Sequence, residues 1–430
     1  MPQTVPSDRF RVEAFDSALG RRIIDTHIWA VREGLRGTNA ETLFDGYCQR
    51  LIADGAPLWR AQMAMETLHP QWSGYGFTWR RDLNAINPLQ FAHDDGADPI
   101  WVSSPFYQLI ERARAGEVEP SLRRRLEEGP DQRDFPALTE FHAMGATDYF
   151  CQLHMFGEAG DRSQGSGVVY SFASDRAGGF SENDLIYVGA TLPALSLAMK
   201  ADAGHVIASG LLGTYLGEDA GRRVHAGAVQ RGSVSSIHAA LWYADIRGFT
   251  ATSDIAPGAA IVDLLNDVFE ALTAALRGRG GQVMKFIGDA LLATFSLEDG
   301  DVAETCRRAL DAAIEASASL DVLNAARADK GLPVVWVDIA LHVGEVLYGN
   351  VGATDRLDFT VIGPAVNEVS RIASMCRSVD QSVLMSNAFV DGLRHRRQDF
   401  LSVGRFALRG VSAPQELFTV DPAVWPTPPA

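Results

Sequence analysis

The stretch Met284-Lys-Phe-Ile-Gly-Asp-Ala-Leu-Leu-Ala-Thr-Phe295 decides the fold of the C-terminal half. Two short apolar runs, Gln282–Phe286 and Ala290–Phe295, flank Gly288-Asp289. A glycine-containing two-residue break between apolar runs signals a β-hairpin. The hairpin leaves an acid, Asp289, where an apolar strand begins. Upstream, the apolar run Ile237–Tyr243 ends at a second acid, Asp245, within Ala244-Asp-Ile-Arg-Gly-Phe-Thr250. Ala260–Leu276, between the two acids, repeats apolar residues at helical spacing. Beyond the hairpin, Asp301–Ala326 reads as a second long helix, Val334–His342 as a strand and Gly349-Asn350 as a turn. Asn367–Cys376 reads as a helix, and Ser382–Ser386, Phe400–Leu408 and Leu417–Val420 as strands. Strands interleaved with helices in this order predict an α+β domain.

The acids suggest chemistry. A lone aspartate after a strand is ordinarily a turn or cap residue. Two of them, each where an apolar strand meets a loop, can share a pair of hard divalent cations through oxygen. A third segment, Phe359-Thr-Val-Ile-Gly-Pro-Ala-Val-Asn-Glu-Val-Ser-Arg371, puts Asn367 and Arg371 four residues apart. On a helix these share one face. A planar guanidinium there can meet charge developing on a phosphate.

These three segments, in this order, resemble the class III adenylyl and guanylyl cyclases. The resemblance covers about residues 235–422 and includes His342-Val-Gly-Glu-Val-Leu-Tyr-Gly-Asn-Val-Gly352. It implies a ferredoxin-like catalytic domain over 236–422 that converts ATP to cyclic AMP and pyrophosphate. Asp245 and Asp289 match the metal-binding aspartates, and the carbonyl of Ile246 matches a further ligand, for two Mg2+ or Mn2+ ions per site. Asn367 and Arg371 match the pair that orients ribose and steadies the transition state. Lys285 and Thr360 match the positions that choose the base. Lysine only donates, which suits adenine N1, and a threonine hydroxyl can accept from the exocyclic amine. Phe249, Thr250 and Arg409 complete the expected substrate contacts. In the family the acids and the other four residues come from different subunits, which implies a homodimer with two shared sites. A guanylate cyclase and a non-catalytic nucleotide-sensing regulator are the alternatives. A diguanylate cyclase is set aside because Ile287-Gly-Asp-Ala290 stands where its Gly-Gly-Asp/Glu-Glu-Phe hairpin would be.

The first half carries no comparable signature. Residues 1–20 read as a disordered lead-in, 21–210 as a GAF-like α+β sensor and 211–235 as a glycine-rich junction. Glu41–Asp54 has helical periodicity, His69–Trp79 alternates aromatics with glycine as strand and turn, and 111–134 is charge-dense loop or helix end. Thr147–Phe156 and Gly165–Ser174 read as antiparallel strands. A helix capped by Ser181 runs through Leu185–Met199 toward Gly210. The ligand of this half is an unknown small molecule or protein.

Bulk properties narrow the function class. The chain has 430 residues, 47% hydrophobic and 21% charged, enough for two or three globular domains. A formal net charge of −16 argues against a nucleic-acid surface. Cys48, Cys151, Cys306 and Cys376 are too scattered for a disulfide framework or a zinc site. The N-terminus has no signal-peptide pattern, and Leu185–Met199, with Pro193 inside it, falls short of the about 20 apolar residues a membrane helix needs. A cytoplasmic protein without a membrane span is expected.

Overall fold

In a computed structural model of the chain, residues 17–421 are described, apart from 71, 84, 94–98, 158–166, 255, 256, 299, 395, 396 and 412. Most of the expected lead-in lies outside the described residues. The chain divides into two compact units, Met1–Leu211 and Leu212–Ala430.

The first unit opens with α1 (Ala18–Arg36) and α2 (Ala40–Ala53). Ser17 caps α1 by accepting from the Gly20 amide, and Gly37, at φ +74°, ends it. Asn39 caps α2. The strands are β1 (Leu58–Glu66), β2 (Trp72–Arg80), β3 (Ala85–Ala92), β4 (Ser121–Arg125), β5 (Asp148–Met155) and β6 (Gly167–Ser174). Between β3 and β5 lie α3 (Pro99–Val102), α4 (Pro105–Arg114) and α5 (Pro136–Ala143). The strands form one antiparallel sheet in the order β3-β2-β1-β6-β5-β4. Helices α1, α2 and α6 (Glu182–Leu216) bury one face around Tyr47, Trp79, Phe172 and Leu192. Helices α4 and α5 bury the other around Leu109, Leu138 and Tyr149.

Three sequence expectations change here. The charge-dense region 111–134 contains an edge strand, β4, whose arginines hid its periodicity. Charged side chains on an edge strand also discourage pairing with other chains. Arg123 of β4 donates to the fully buried Asp148 at 2.8 Å. Helix α6 starts as expected, with Ser181 and Asp184 capping each other's amides, but it passes through Gly210 and Gly213 to Leu216. A single glycine costs a helix only about 1 kcal/mol, too little to end it at these positions. The break comes at Gly217, φ +86°, and α7 (Glu218–His225) follows.

In the second unit, β7 (Val234–Ile246) is central. It pairs with β10 (Val337–Gly352) and β9 (Ala290–Ser296), and β8 (Gln282–Ile287) closes the hairpin. The sheet order is β13-β14-β12-β10-β7-β9-β8, from β12 (Val383–Ser386), β13 (Phe400–Phe406) and β14 (Gln415–Val420); β11 (Leu357–Ile362) pairs with β10. After β7 come α8 (Phe249–Ser253) and α9 (Gly258–Gly278). With α10 (Val302–Asp329) and α12 (Asn387–Gly392), α9 covers one face around Trp242 and Phe295. Helix α11 (Pro364–Met375) covers the other around Leu241 and Leu384. The expected turn at Gly349-Asn350 is instead mid-strand. A Cβ at Gly349 would stand 2.2 Å from the Ser233 carbonyl, so glycine here permits a close backbone approach. The buried Asn350 amide donates to the Ala228 carbonyl at 2.7 Å.

All four cysteines are buried and free. Among the described residues no helix is long and apolar enough to cross a membrane.

Two buried histidines set an acid limit on stability. Burial pushes the imidazoles of His154 and His342 down to about 4. Each binds its proton more readily when unfolded, so stability is full above about pH 6.5 and falls as pH drops toward about 4. Urea denaturation at pH 7.5 and pH 5 should show that loss, and His154→Leu and His342→Leu should each reduce it.

Candidate active site

Strand β7 carries Asp245 next to last, followed by Ile246. The Ile246 side chain is buried in the core, so only its backbone remains to offer a ligand. Asp245 projects to the opposite face, the one covered by α11. Its direct neighbours across the sheet are Ala290 of β9 and Asp338 of β10. Ala290 directly follows Asp289, so the hairpin register brings the second acid beside the first. The loop has glycine at its first central position, Gly288 at φ +64°, as a type II′ turn requires.

Both acids are half-buried, and among the described residues neither side chain has a hydrogen bond or ion pair. Burial, then the charge of Asp289, then that of Asp338, push the Asp245 carboxyl up to about 6. Two carboxylates so held repel each other, and a divalent cation between them would reverse the sign of the interaction. The donor set therefore fits metal ions. Among the described residues no three His, Cys, Asp or Glu side chains form a cage by themselves.

Asn367 and Arg371 are both exposed on one face of α11, and neither side chain is engaged among the described residues. Their neighbours Ala365, Val369 and Ile372 are buried, which fixes the outward face. Arg371 and both acids bear on one group. Asp245 and Asp289 raise the Tyr243 hydroxyl and Arg371 lowers it, with burial the largest influence. No hydrogen bond or ion pair joins the acids to Asn367 or Arg371 among the described residues.

Lys285 lies on β8, and its ammonium is paired with the Asp358 carboxylate of β11. Thr360, two residues on, shares the face of Asp358 by strand alternation and is buried. The structure thus brings Lys285 and Thr360 together by way of Asp358. Phe249 packs against the core, Thr250 is exposed beside it, and Arg409 is exposed in the turn after β13.

Residues 233–421 match the family described as the adenylate and guanylate cyclase catalytic domain. The second unit carries a class III cyclase catalytic domain. An adenylate cyclase of Anabaena cylindrica is 36% identical over 169 residues, covering 38% of this chain and 32% of that protein. Adenylate cyclase 1 of Rhizobium meliloti is 28% identical over 180 residues, covering 41% of this chain and 26% of that protein. The match spans about a third of the length of these relatives or less. A crystal structure of the adenylyl cyclase CyaB from P. aeruginosa is 25% identical, covering 44% of this chain and 96% of that one, with a TM-score of 0.39.

Three residues of the cyclase domain escaped the sequence reading. Asp358 holds Lys285, Tyr243 lies within the charge field of the acids and Arg371, and Asp338 stands beside Asp245. Asp338 is kept tolerable by Arg247, which donates from Nε to its carboxylate and from Nη2 to the Gln381 carbonyl at 2.8 Å. Each depends on strand register, which local spacing does not reveal.

Arg247 is therefore a structural residue inside the Asp245 segment. Arg247→Met should cost about 3 kcal/mol in urea denaturation, because it strands a buried carboxylate. Adding Asp338→Leu should recover most of that loss. If the single variant is neutral, Arg247 does not neutralise Asp338.

Proposed function

We propose that this chain is an adenylate cyclase that converts ATP to 3′,5′-cyclic AMP and pyrophosphate in intracellular signalling. The observation that carries the reading is the pair of unneutralised acids, Asp245 and Asp289, on the sheet face that also carries α11. Asp245, Asp289 and the Ile246 carbonyl would hold two Mg2+ or Mn2+ ions, which supply Lewis acidity toward the ribose 3′-hydroxyl and the departing pyrophosphate. Asn367 orients the ribose. Arg371 offers its guanidinium to charge growing on the α-phosphate. Lys285 donates to adenine N1 and Thr360 accepts from the amine, with Asp358 setting the direction of the ammonium. Phe249 and Thr250 flank the metal end, and Arg409 meets the triphosphate.

A homodimer with two shared sites is part of the proposal. Phe286, Ile287, Leu347, Leu357 and Ile362 are each more than a third exposed in the single chain, on the two hairpins that flank the site. Apolar residues gathered on such edges suit an interface with a second copy. The first unit, with a six-stranded sheet between helical layers, fits a GAF-like sensor controlling the cyclase domain; the division between units falls inside α6. A cytoplasmic location follows from the ATP substrate.

Purified protein with Mn2+ or Mg2+ should form cyclic AMP from ATP faster than cyclic GMP from GTP. No product from ATP with either metal, or faster turnover of GTP, contradicts the reading. Asp358→Asn should raise the KM for ATP up to about fivefold, the worth of a half-exposed ion pair, with kcat within about twofold. A loss confined to kcat would place Asp358 elsewhere in the mechanism.

A further inference from the structure

In the first unit, one cross-strand row holds three arginines on the sheet face covered by α4 and α5. Strand register pairs Arg124 with Tyr149, Tyr149 with Ala173, Ala173 with Arg60 and Arg60 with Arg80. Residues directly opposite in antiparallel strands share a face. Two of the arginines are neutralised locally. Arg124 forks onto Asp134 at 3.0 and 2.7 Å, and Arg80 onto Asp82 at 3.0 and 2.5 Å.

Arg60, between them in the row, has no acid among the described residues. Its Nη2 donates to Gln62 Oε1 at 3.0 Å and to Thr78 Oγ1 at 3.5 Å, and its guanidinium lies 4.7 Å from the Phe141 ring centroid. Its Nε and Nη1 have no protein acceptor among the described residues, yet they are not among the sealed, unpartnered atoms found there. Burial holds the Arg60 guanidinium below its ordinary value, opposed in part by Tyr149 and aided by the charge of Arg80. A desolvated cation with only neutral partners is costly unless something negative meets it. Acids are not scarce in a chain with 54 of them and a net charge of −16. Glu140, beside Phe141 on α5, is exposed and makes no ion pair with Arg60 among the described residues.

The two polar side chains nearest Arg60 accept from it, and each keeps hydrogens of its own. Gln62 turns its oxygen to Arg60, which leaves its amide N–H groups to give, and the Thr78 hydroxyl can rotate to donate. Gln62 and Thr78 form a cross-strand pair next to Arg60 and Arg80, and all four residues are partly exposed, so solutes can reach them. The spare N–H groups of Arg60, together with the hydrogens that Gln62 and Thr78 keep, suit an acceptor-only partner.

We propose that Arg60, Gln62 and Thr78, with Arg80 alongside, bind a small oxyanion, a carboxylate or a phosphate group. Such a site would give the first unit a ligand of defined chemistry. It does not depend on the cyclase reading, and its lining residues all lie outside the cyclase domain.

The test is isothermal titration calorimetry and thermal unfolding of the full chain in sodium chloride, with sodium phosphate or sodium acetate added at constant ionic strength. The expected result is saturable heat and a rise in melting temperature with one of the two oxyanions, and which one responds separates phosphate from carboxylate. Arg60→Met should weaken that binding at least about tenfold. Thr78→Val, which keeps the strand and its shape, should weaken it about fivefold, so the question stays answerable if Arg60→Met does not fold. Arg36→Met, at an exposed helix pair with Glu33, should leave it unchanged. No saturable binding of either anion, or equal binding by the parent, Arg60→Met and Thr78→Val, overturns the proposal.

Discussion

The second unit is organised around an unfavourable contact. Burial and the nearby charges of Asp289 and Asp338 all disfavour the ionised form of Asp245. An isolated chain would move such acids apart or protonate one. Here the central position of β7, paired along its length with β9 and β10, forbids the first option. The cores on either side then fix the sheet. Trp242 and Phe295 are locked beneath α9 and α10, and Leu241 and Leu384 beneath α11. Burial of apolar side chains thus maintains a charge arrangement that the charges themselves oppose.

The α11 face holds the complementary half of the chemistry. The side chains of Asn367 and Arg371 point away from the packed side of the helix and have no hydrogen-bond or ion-pair partner among the described residues, and neither have those of the acids. In the proposed function both halves meet groups from outside the chain: cations and a nucleotide on one side, a second copy on the other. The same layer is tied to the start of the unit. Asp219 of α7 accepts from the Tyr348 hydroxyl of β10 at 3.0 Å, and Arg223 lies over the Tyr348 ring. The segment that enters the cyclase domain is therefore fastened to the strand that carries Asp338 and supports β11.

The sequence was most readable where local rules act alone. Gly288-Asp289 between apolar runs announced its hairpin, and Ser181 announced the start of α6. Positions four apart on a helix were enough to put Asn367 and Arg371 on one face. It was least readable where distant segments meet. Edge strand β4 hid behind arginines whose partners, Asp148 and Asp134, follow later in the chain. Gly349 looked like a turn because a glycine needed for backbone contact and one needed for a turn are the same letter. Asp358 and Asp338 gained meaning only from strand register. The resemblance that named the cyclase chemistry had no counterpart in the first half, where the uncompensated charge of Arg60 became visible only once burial and partners were known.

The central claim is that the metal acids and the Asn367–Arg371 pair of one working site come from two copies of the chain. Mixing two inactive variants, Asp245→Ala and Arg371→Ala, tests it most directly. Each alone should form no cyclic AMP. Mixed and allowed to exchange subunits, they should regain activity, because half-complete copies combine into one intact site per heterodimer. Two silent variants that stay silent together, while forming heterodimers, would contradict the account.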